Sequence, residues 1–139
     1  GDDLPEEHNT VTLDPQLKDS SGLPGPKINY TLSENSRRMM SHAIARGREV
    51  LGEAGAIDVM VDPLMAESGW HLLGTARMGN DPERSVVNAN GQSHEVDNLF
   101  IVDGSVFVTG AAVNPTPTIQ ALALRTADYI ANERQDLKA

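Results

Sequence analysis

The stretch NLFIVDGSVFVTGAAVNPTPTIQALALRTADYI, residues 98–130, decides the fold class. It contains the continuous apolar run 99–102, which is typical of a strand buried on both faces, and Asp103-Gly104 ends that strand. An amphipathic helix is then predicted from about Pro117, because Thr116 can cap it and proline is favoured at its first position. The apolar stripe of this helix consists of Ile119, Leu122, Ala123, Thr126, Ala127 and Ile130. This order indicates an α/β fold, or an α+β fold for a fragment.

Upstream of this stretch, the pattern predicts two strands and a second helix. Val11 and Leu13 alternate with polar residues, as in a short half-buried strand. Gly22 and three neighbouring Gly and Pro residues then form a turn-rich connection to a second strand at KINYT, residues 27–31. Ser33 can cap the helix that follows.

The end of this helix and the segment after it are less regular. Gly52 or Gly55 is a suitable stop for the helix. Residues 56–68 have no clean period and are compatible with either a strand or a loop. Further along, Asn90-Gly91 is a turn signal between short polar and apolar runs.

Composition excludes several classes of function. The 139 residues carry 11 basic and 20 acidic side chains, and the resulting net charge of −9 disfavours binding to nucleic acid or to an anionic membrane. There is no cysteine for a disulfide or a thiolate metal site. We find no targeting segment and no apolar run of the roughly 20 residues that a bilayer requires, and both a cytoplasmic and a periplasmic location stay open.

Three segments could carry chemistry, and each also has a simpler interpretation. His71 in WHLLGTARMG, residues 70–79, could be an ordinary core histidine. The run 99–107, LFIVDGSVF, places a carboxylate and free N–H groups after a strand, where α/β sheets bind ligands, but it could be a plain strand and turn. The segment 114–118, NPTPT, could offer free N–H groups to an electron-rich ring or simply begin a helix. The other histidines, which are His8, His42 and His94, show no ligand spacing, so no metal site is predicted.

Four segments that occur in a fixed order identify a protein family far more specifically than any one of them does. They are HLLGTARMG at 71–79, SVVN at 85–88, NLFIVDGSVF at 98–107 and NPT at 114–116, followed by an alanine- and leucine-rich helix. This series closely resembles the C-terminal region of the glucose-methanol-choline (GMC) oxidoreductases, and its phrases look more like the bacterial dehydrogenases of that family than its fungal oxidases. The segments around the two predicted strands resemble the substrate domain of the same family.

The resemblance implies an FAD-dependent enzyme that oxidises a CH–OH group of an alcohol, sugar or polyol, with the hydride passing to the flavin. His71 is the implied catalytic base that takes the hydroxyl proton, and Asn114 occupies the position of a second catalytic residue that is histidine in some members. Asp103 and Gly104 are implied to meet the ribityl and phosphate region of FAD. Asn114, Pro115 and Thr116 are implied to approach the pyrimidine end of the isoalloxazine ring.

The resemblance also implies a division of the chain. Residues 1–68 would belong to the substrate-binding domain, and residues 69–139 would form the C-terminal part of the FAD-binding domain, with the catalytic residues and the final helix. The family's Gly-rich dinucleotide fingerprint is absent from the sequence, which therefore looks like the last quarter of a longer enzyme. We expect the isolated chain to be inactive and to need the N-terminal FAD-binding part of the same enzyme. Further dehydrogenase subunits are compatible with this interpretation.

One alternative from another functional class stays open at this point. The same fold remnant could serve as a non-catalytic acidic interaction module, in which His71 and Asn114 are packing residues only. Bound flavin in the full-length protein would favour the enzyme.

Overall fold

The structure is a computed structural model that describes residues 2–64, 69–110 and 112–134. Its elements are β1 (Thr10–Lys18), β2 (Pro24–Asn29), α1 (Glu34–Glu53), a single 3₁₀ turn (Gly104–Val106) and α2 (Thr116–Glu133). The predicted fold class, α/β or α+β for a fragment, is confirmed. The chain divides into two compact units, Gly1–Gly69 and Trp70–Ala139, which we call unit 1 and unit 2. No helix in the described ranges is long and apolar enough to cross a membrane.

Unit 1 begins with an antiparallel ribbon of β1 and β2, and this confirms the predicted pair of strands. Val11 pairs with Ile28, and the register shifts between Leu13 and Lys18. At this irregularity Asp14 Oδ1 accepts hydrogen bonds from the backbone N–H groups of Gln16 and Leu17, at 2.8 and 2.9 Å. The carboxylate therefore satisfies donors that the ladder leaves unpaired.

The predicted half-burial of the first strand is wrong for this chain. Val11 is 50% exposed and Leu13 is 70% exposed. A ribbon of two strands has no second layer to cover either face, and none of the described residues of unit 1 supplies one.

Helix α1 begins and ends where the sequence predicts. Ser33 caps it, because its side chain accepts a hydrogen bond from the N–H of Ser36 at 3.1 Å. Asp3 accepts hydrogen bonds from the hydroxyl groups of both Ser36 and Tyr30, and the bond from Tyr30 raises the pKa of that phenol to about 12. The helix ends at Glu53, and Gly55 follows with a φ of +91° that glycine adopts without strain.

After α1, the described residues 56–64 contain neither helix nor strand. Of the two alternatives that the sequence left open for this segment, a strand or a loop, these residues form a loop. Residues 65–68, the rest of that segment, lie outside the described residues.

Unit 2 is organised by a backbone ladder around two buried valines. Val87 and Val106 are 0% and 2% exposed. The N–H of Ala76 donates to the carbonyl of Ser105 and that of Met78 donates to the carbonyl of Val106, both at 2.9 Å. On the other side, Met78 forms a bridge with Val87. The residues around Met78 therefore lie between the two segments that contain the buried valines.

The predicted Asn90-Gly91 turn is confirmed. The N–H of Gly91 donates to the carbonyl of Asn88 at 3.0 Å, and Gly91 has a φ of +73°. The turn returns the chain so that the N–H of Asn88 donates to the carbonyl of Gln92 at 2.8 Å.

The prediction of a strand over residues 99–102 that is buried on both faces is wrong. The structure has only an isolated bridge between Phe100 and Gln92, and Leu99 and Val102 are 46% and 43% exposed. The run pairs on one side with residues 91–93, and no described segment of unit 2 pairs with its other side. An apolar run specifies a buried strand only when neighbouring strands cover it.

Helix α2 confirms the predicted C-terminal helix but corrects its cap. Thr116 is the first helical residue, and Pro115 is the cap residue, without a side-chain capping bond. Pro115 already has helical dihedral angles, φ −87° and ψ −8°, so the helical conformation starts one residue before the predicted cap. Along the predicted stripe, Thr126 is buried, Ala127 is exposed and the others are half-buried.

The close approach of α2 to the Asn90-Gly91 turn leads to a stability prediction. A Cβ atom at Gly91 would lie 2.8 Å from the carbonyl oxygen of Ile101 and 3.0 Å from Thr126 Oγ1. Because the φ of Gly91 is also unfavourable for alanine, we expect Gly91→Ala to lower the free energy of unfolding by at least about 2 kcal/mol. Urea unfolding monitored by circular dichroism measures this change.

Gly47→Ala in α1 is the matched control, because no atom lies within 4 Å of a Cβ built at that position. There the same substitution should stabilise the protein by about 0.5–1 kcal/mol. Equal stability of Gly91→Ala and the unmodified protein would contradict the packing that we describe.

Candidate functional site

Gly104 is the point at which three of the segments singled out by the sequence meet. Its carbonyl accepts a hydrogen bond from the N–H of Gly74 at 3.4 Å. A Cβ atom at Gly104 would lie 2.8 Å from Leu73 Cδ2 and 3.3 Å from Ile119 Cδ1. A larger residue at Gly104 would therefore force the segment of His71 or the first turn of α2 to shift by a few tenths of an ångström.

Asp103 is held in place by Ser105. Its Oδ1 atom accepts hydrogen bonds from the backbone N–H and the hydroxyl of Ser105, at 2.8 and 2.5 Å. These two bonds, with the hydroxyl bond as the larger cause, lower the pKa of the Asp103 carboxyl below its ordinary value. The carboxylate is thus ionised at neutral pH, and its Oδ2 atom has no hydrogen-bond partner among the described residues.

His71 lies in an exposed stretch, between the exposed side chains of Trp70 and Leu72. Among the described residues, its ring makes no hydrogen bond. Within unit 2, the side chain of His71 is therefore exposed. Gly74, with a φ of +86°, redirects the chain three residues later toward the ladder with residues 104–106.

Asn114 and Thr116 are exposed, and Pro115 between them is buried. Because Pro115 provides no side-chain capping bond, the first N–H groups of α2 have no cap from that residue. Ala112, two residues before Asn114, has a positive φ of 58°, which is uncommon for a residue other than glycine. The segment thus presents an amide side chain directly before the positive end of a helix dipole.

In the structure, the predicted site segments lie close together along their backbones. The predicted catalytic side chains, however, do not hydrogen-bond to one another. Gly104 contacts both the segment of His71 and α2. Within the ranges that the structure describes, no hydrogen bond joins the side chains of His71 and Asn114.

Two contributors to this site were not predicted from the sequence. Ser105, which fixes Asp103, could have been found from the spacing, because an Asp side chain commonly accepts a hydrogen bond from the N–H two residues later. Ile119 was predicted as part of the apolar stripe, but its contact with Gly104 joins residues far apart in sequence and has no local signal.

His94 has a packing role. Its Nε2 atom lies 3.0 Å from Ser85 Oγ and 3.1 Å from the carbonyl oxygen of Gly79. Ser85 Oγ donates its own proton to the carbonyl of Asp81, so Nε2 is the donor in both contacts. This arrangement is not a nucleophile with its base, because the serine proton points away from the imidazole.

No group of three or more His, Asp or Glu side chains in the described ranges is placed to hold a metal ion.

Comparison with known proteins gives a consistent result. The sequence profile of the family described as GMC oxidoreductase matches residues 5–123. The chain is 49% identical over 138 residues to 2-methyl-1,2-propanediol dehydrogenase of Mycolicibacterium austroafricanum, covering 99% of this chain and 25% of that protein. It is 40% identical over 131 residues to 6'''-hydroxyparomomycin C oxidase of Streptomyces lividus, covering 94% and 24%.

A third relative is the fructose dehydrogenase large subunit of Gluconobacter japonicus, which is 34% identical over 132 residues, with 94% of this chain and 24% of the relative covered. The chain therefore spans about a quarter of the length of these relatives.

The hydrogen bonds to Asp103 lead to a pH prediction. A carboxyl whose folded pKa is lowered contributes stability above its unfolded pKa, and that contribution is lost as the pH falls through the folded pKa. Ser105→Ala removes the larger cause of the lowering, so we expect the pKa of Asp103 to rise toward the ordinary value of an aspartate. Carbon-13 NMR titration of the carboxyl groups measures this change.

Ser105→Thr is the control, because it keeps both the hydroxyl and the backbone donor and should leave the Asp103 titration near its original position. An unchanged titration in Ser105→Ala would contradict the assigned cause.

Proposed function

We propose, because this chain belongs to the GMC oxidoreductase family, that it forms the C-terminal part of an FAD-dependent enzyme that oxidises a CH–OH group of an alcohol, sugar or polyol. The relatives named above are dehydrogenases and an oxidase, and their names give a diol, an aminoglycoside and a sugar as substrates. The substrate class of this protein is proposed on that basis.

The observation that carries the proposal is the meeting of three segments at Gly104. The His71 segment, the Asp-Gly-Ser turn and α2 could each be ordinary structure when taken alone. Their close approach at Gly104 gives them one location within unit 2. A reaction that needs a base, a ribityl contact and a positive helix end requires such a common location.

The residues around Gly104 fit the flavin part of FAD. When bound, FAD supplies the acceptor for the two electrons that leave the carbinol carbon with its hydrogen. The free Oδ2 atom of Asp103 suits a ribityl hydroxyl donor, whereas its negative charge would repel a phosphate, so phosphate contacts would fall to backbone N–H groups. Asn114, Pro115 and Thr116 would lie at the pyrimidine end, where the uncapped N-terminus of α2 favours negative charge.

We assign the role of general base to His71. Alcohol oxidation requires a group that takes the hydroxyl proton, and an imidazole, whose ordinary pKa is about 6.5, does so near neutral pH. The ring of His71 is exposed and without a hydrogen-bond partner among the described residues, so a nitrogen is available to the substrate hydroxyl. Asn114 has no titratable proton and would orient the alcohol by donating from its amide.

We further propose that unit 1 is part of the substrate-binding domain and that unit 2 completes the FAD-binding domain. The division of the chain at Gly69–Trp70 supports this assignment. The missing Gly-rich fingerprint would come from the preceding part of the same enzyme, which we propose as the partner of unit 2.

The first functional prediction concerns His71 in the full-length protein. His71→Ala should slow reduction of the bound flavin by roughly 10²- to 10⁴-fold, the usual contribution of a positioned general base, and should leave the flavin bound. Stopped-flow absorbance measures the rate of reduction, and the flavin content of the purified protein measures binding.

His42→Ala is the control, since this exposed histidine lies on α1 in the other unit and should not affect the rate. Reduction of His71→Ala at the rate of the unmodified protein would rule out His71 as the base.

The second functional prediction concerns Asn114. Asn114→Ala should lower kcat/KM by about 5- to 150-fold, which corresponds to about 1–3 kcal/mol for the loss of its proposed hydrogen bond to the bound alcohol. The pH profile should keep a single ionisation, because an amide does not titrate. Steady-state kinetics across pH, measured beside thermal unfolding, tests both expectations.

A purely structural role of Asn114 gives a different result. In that case the thermal midpoint falls while kcat/KM stays unchanged, and the proposed orienting role is wrong.

A further inference from the structure

We propose that a hollow whose lining includes Arg77 and Arg84 is a binding site for a small oxyanion, a phosphate or a carboxylate group. The hollow has a volume of about 340 Å³ and lies in unit 2. Its lining includes both arginines and Asp81, and it includes neither His71 nor Asn114. The proposed oxidation does not use it.

The guanidinium of Arg77 makes a hydrogen bond in the absence of any ligand. Its Nε atom donates to the carbonyl of Arg84 at 2.8 Å, and the N–H of Val86 donates back to the carbonyl of Arg77 at 3.0 Å. The Nε bond leaves the two terminal nitrogens as donors for a ligand. A side chain that is already ordered loses less conformational entropy on binding than a free one.

The loop that contains Arg84 is also held by several hydrogen bonds. The N–H of Arg84 and the hydroxyl of Ser85 both donate to the carbonyl of Asp81, at 3.0 and 2.5 Å. His94 joins Ser85 to the carbonyl of Gly79. A Cβ atom at Gly79 would lie 2.9 Å from Ser85 Cβ, so the two ends of the loop are in close contact.

Neither arginine of this hollow is neutralised by an ion pair with a described residue. Among the described residues the ion pairs lie on α1, and neither Arg77 nor Arg84 is within 4.0 Å of a carboxylate oxygen. Asp81 contributes one negative charge, and its Oδ1 atom accepts from the N–H of Glu83 at 3.0 Å. The lining itself carries two arginines and one aspartate, and Glu83 beside Arg84 adds a negative charge outside the lining.

The guanidinium groups of arginines are suited to binding an oxyanion. Each planar guanidinium can donate two parallel hydrogen bonds to phosphate or carboxylate oxygens, and such charge-assisted bonds are stronger than neutral ones. An exposed site of this kind is screened by salt, so binding must be measured at constant ionic strength.

Thermal unfolding of the full-length protein tests the site with inorganic phosphate as the probe and acetate as its carboxylate counterpart. Sodium chloride keeps the ionic strength constant during both titrations. We expect a saturable rise of the thermal midpoint, because a ligand that binds only the folded state stabilises it. The anion that saturates at the lower concentration identifies the class of ligand.

Two variants, one that removes a positive charge and one that removes a negative charge, make the test specific for this site. Arg84→Gln should raise the half-saturating anion concentration at least tenfold, while Asp81→Asn, which keeps the acceptor for Glu83, should lower it. Both positions are exposed, so the substitutions should not prevent folding. Arg125→Gln is the control, since Arg125 is an exposed arginine of α2 outside the hollow.

Opposite shifts in Arg84→Gln and Asp81→Asn, with no shift in Arg125→Gln, support the site. The absence of a saturable rise, or a rise that all three variants share with the unmodified protein, overturns it.

Discussion

The close approach of α2 to two buried glycines is the constraint on which unit 2 depends. Gly91 leaves no room for a Cβ atom beside Thr126, and Gly104 leaves almost none beside Ile119. Thr126 Oγ1 also donates to the carbonyl of Asn90 at 3.0 Å, so the contact is directional as well as close. One contact positions the helix on the Asn90-Gly91 turn, and the other positions its first turns on the segment that we propose for the flavin.

Polar contacts fix many of the elements, because few apolar side chains are fully buried. Among the described residues, Val87 and Val106 are the buried hydrophobic side chains, while Trp70 and Leu124 are 84% and 73% exposed. Backbone ladders, the Ser33 cap and the Asp103 turn supply directional bonds instead. Exposed apolar surface of this kind is expected where a chain packs against further protein, which agrees with the proposed partner of unit 2.

The sequence predicted features that depend on local chemistry and missed those that depend on distant contacts. The Ser33 cap and the Asn90-Gly91 turn follow from one or two residues each, and both were predicted correctly. The strand at 99–102 was predicted wrongly, because its burial requires neighbouring strands that the pattern of one segment cannot reveal. The order of the site segments was readable from their motifs, whereas their meeting at Gly104 depends on contacts of Leu73 and Ile119 that have no signature in sequence.

The candidate flavin site and the proposed anion site share one backbone segment. Gly74 at its start contacts Gly104, Arg77 near its end lines the hollow, and Ala76 and Met78 pair with Ser105 and Val106. A substitution that disturbs this ladder would therefore disturb both sites and could not separate their roles. Side-chain substitutions at His71 and Arg84 leave the ladder bonds intact, because those bonds are made by backbone atoms of other residues. The proposed role of His71 and the proposed anion site can therefore be refuted independently of each other, although both depend on the same backbone segment.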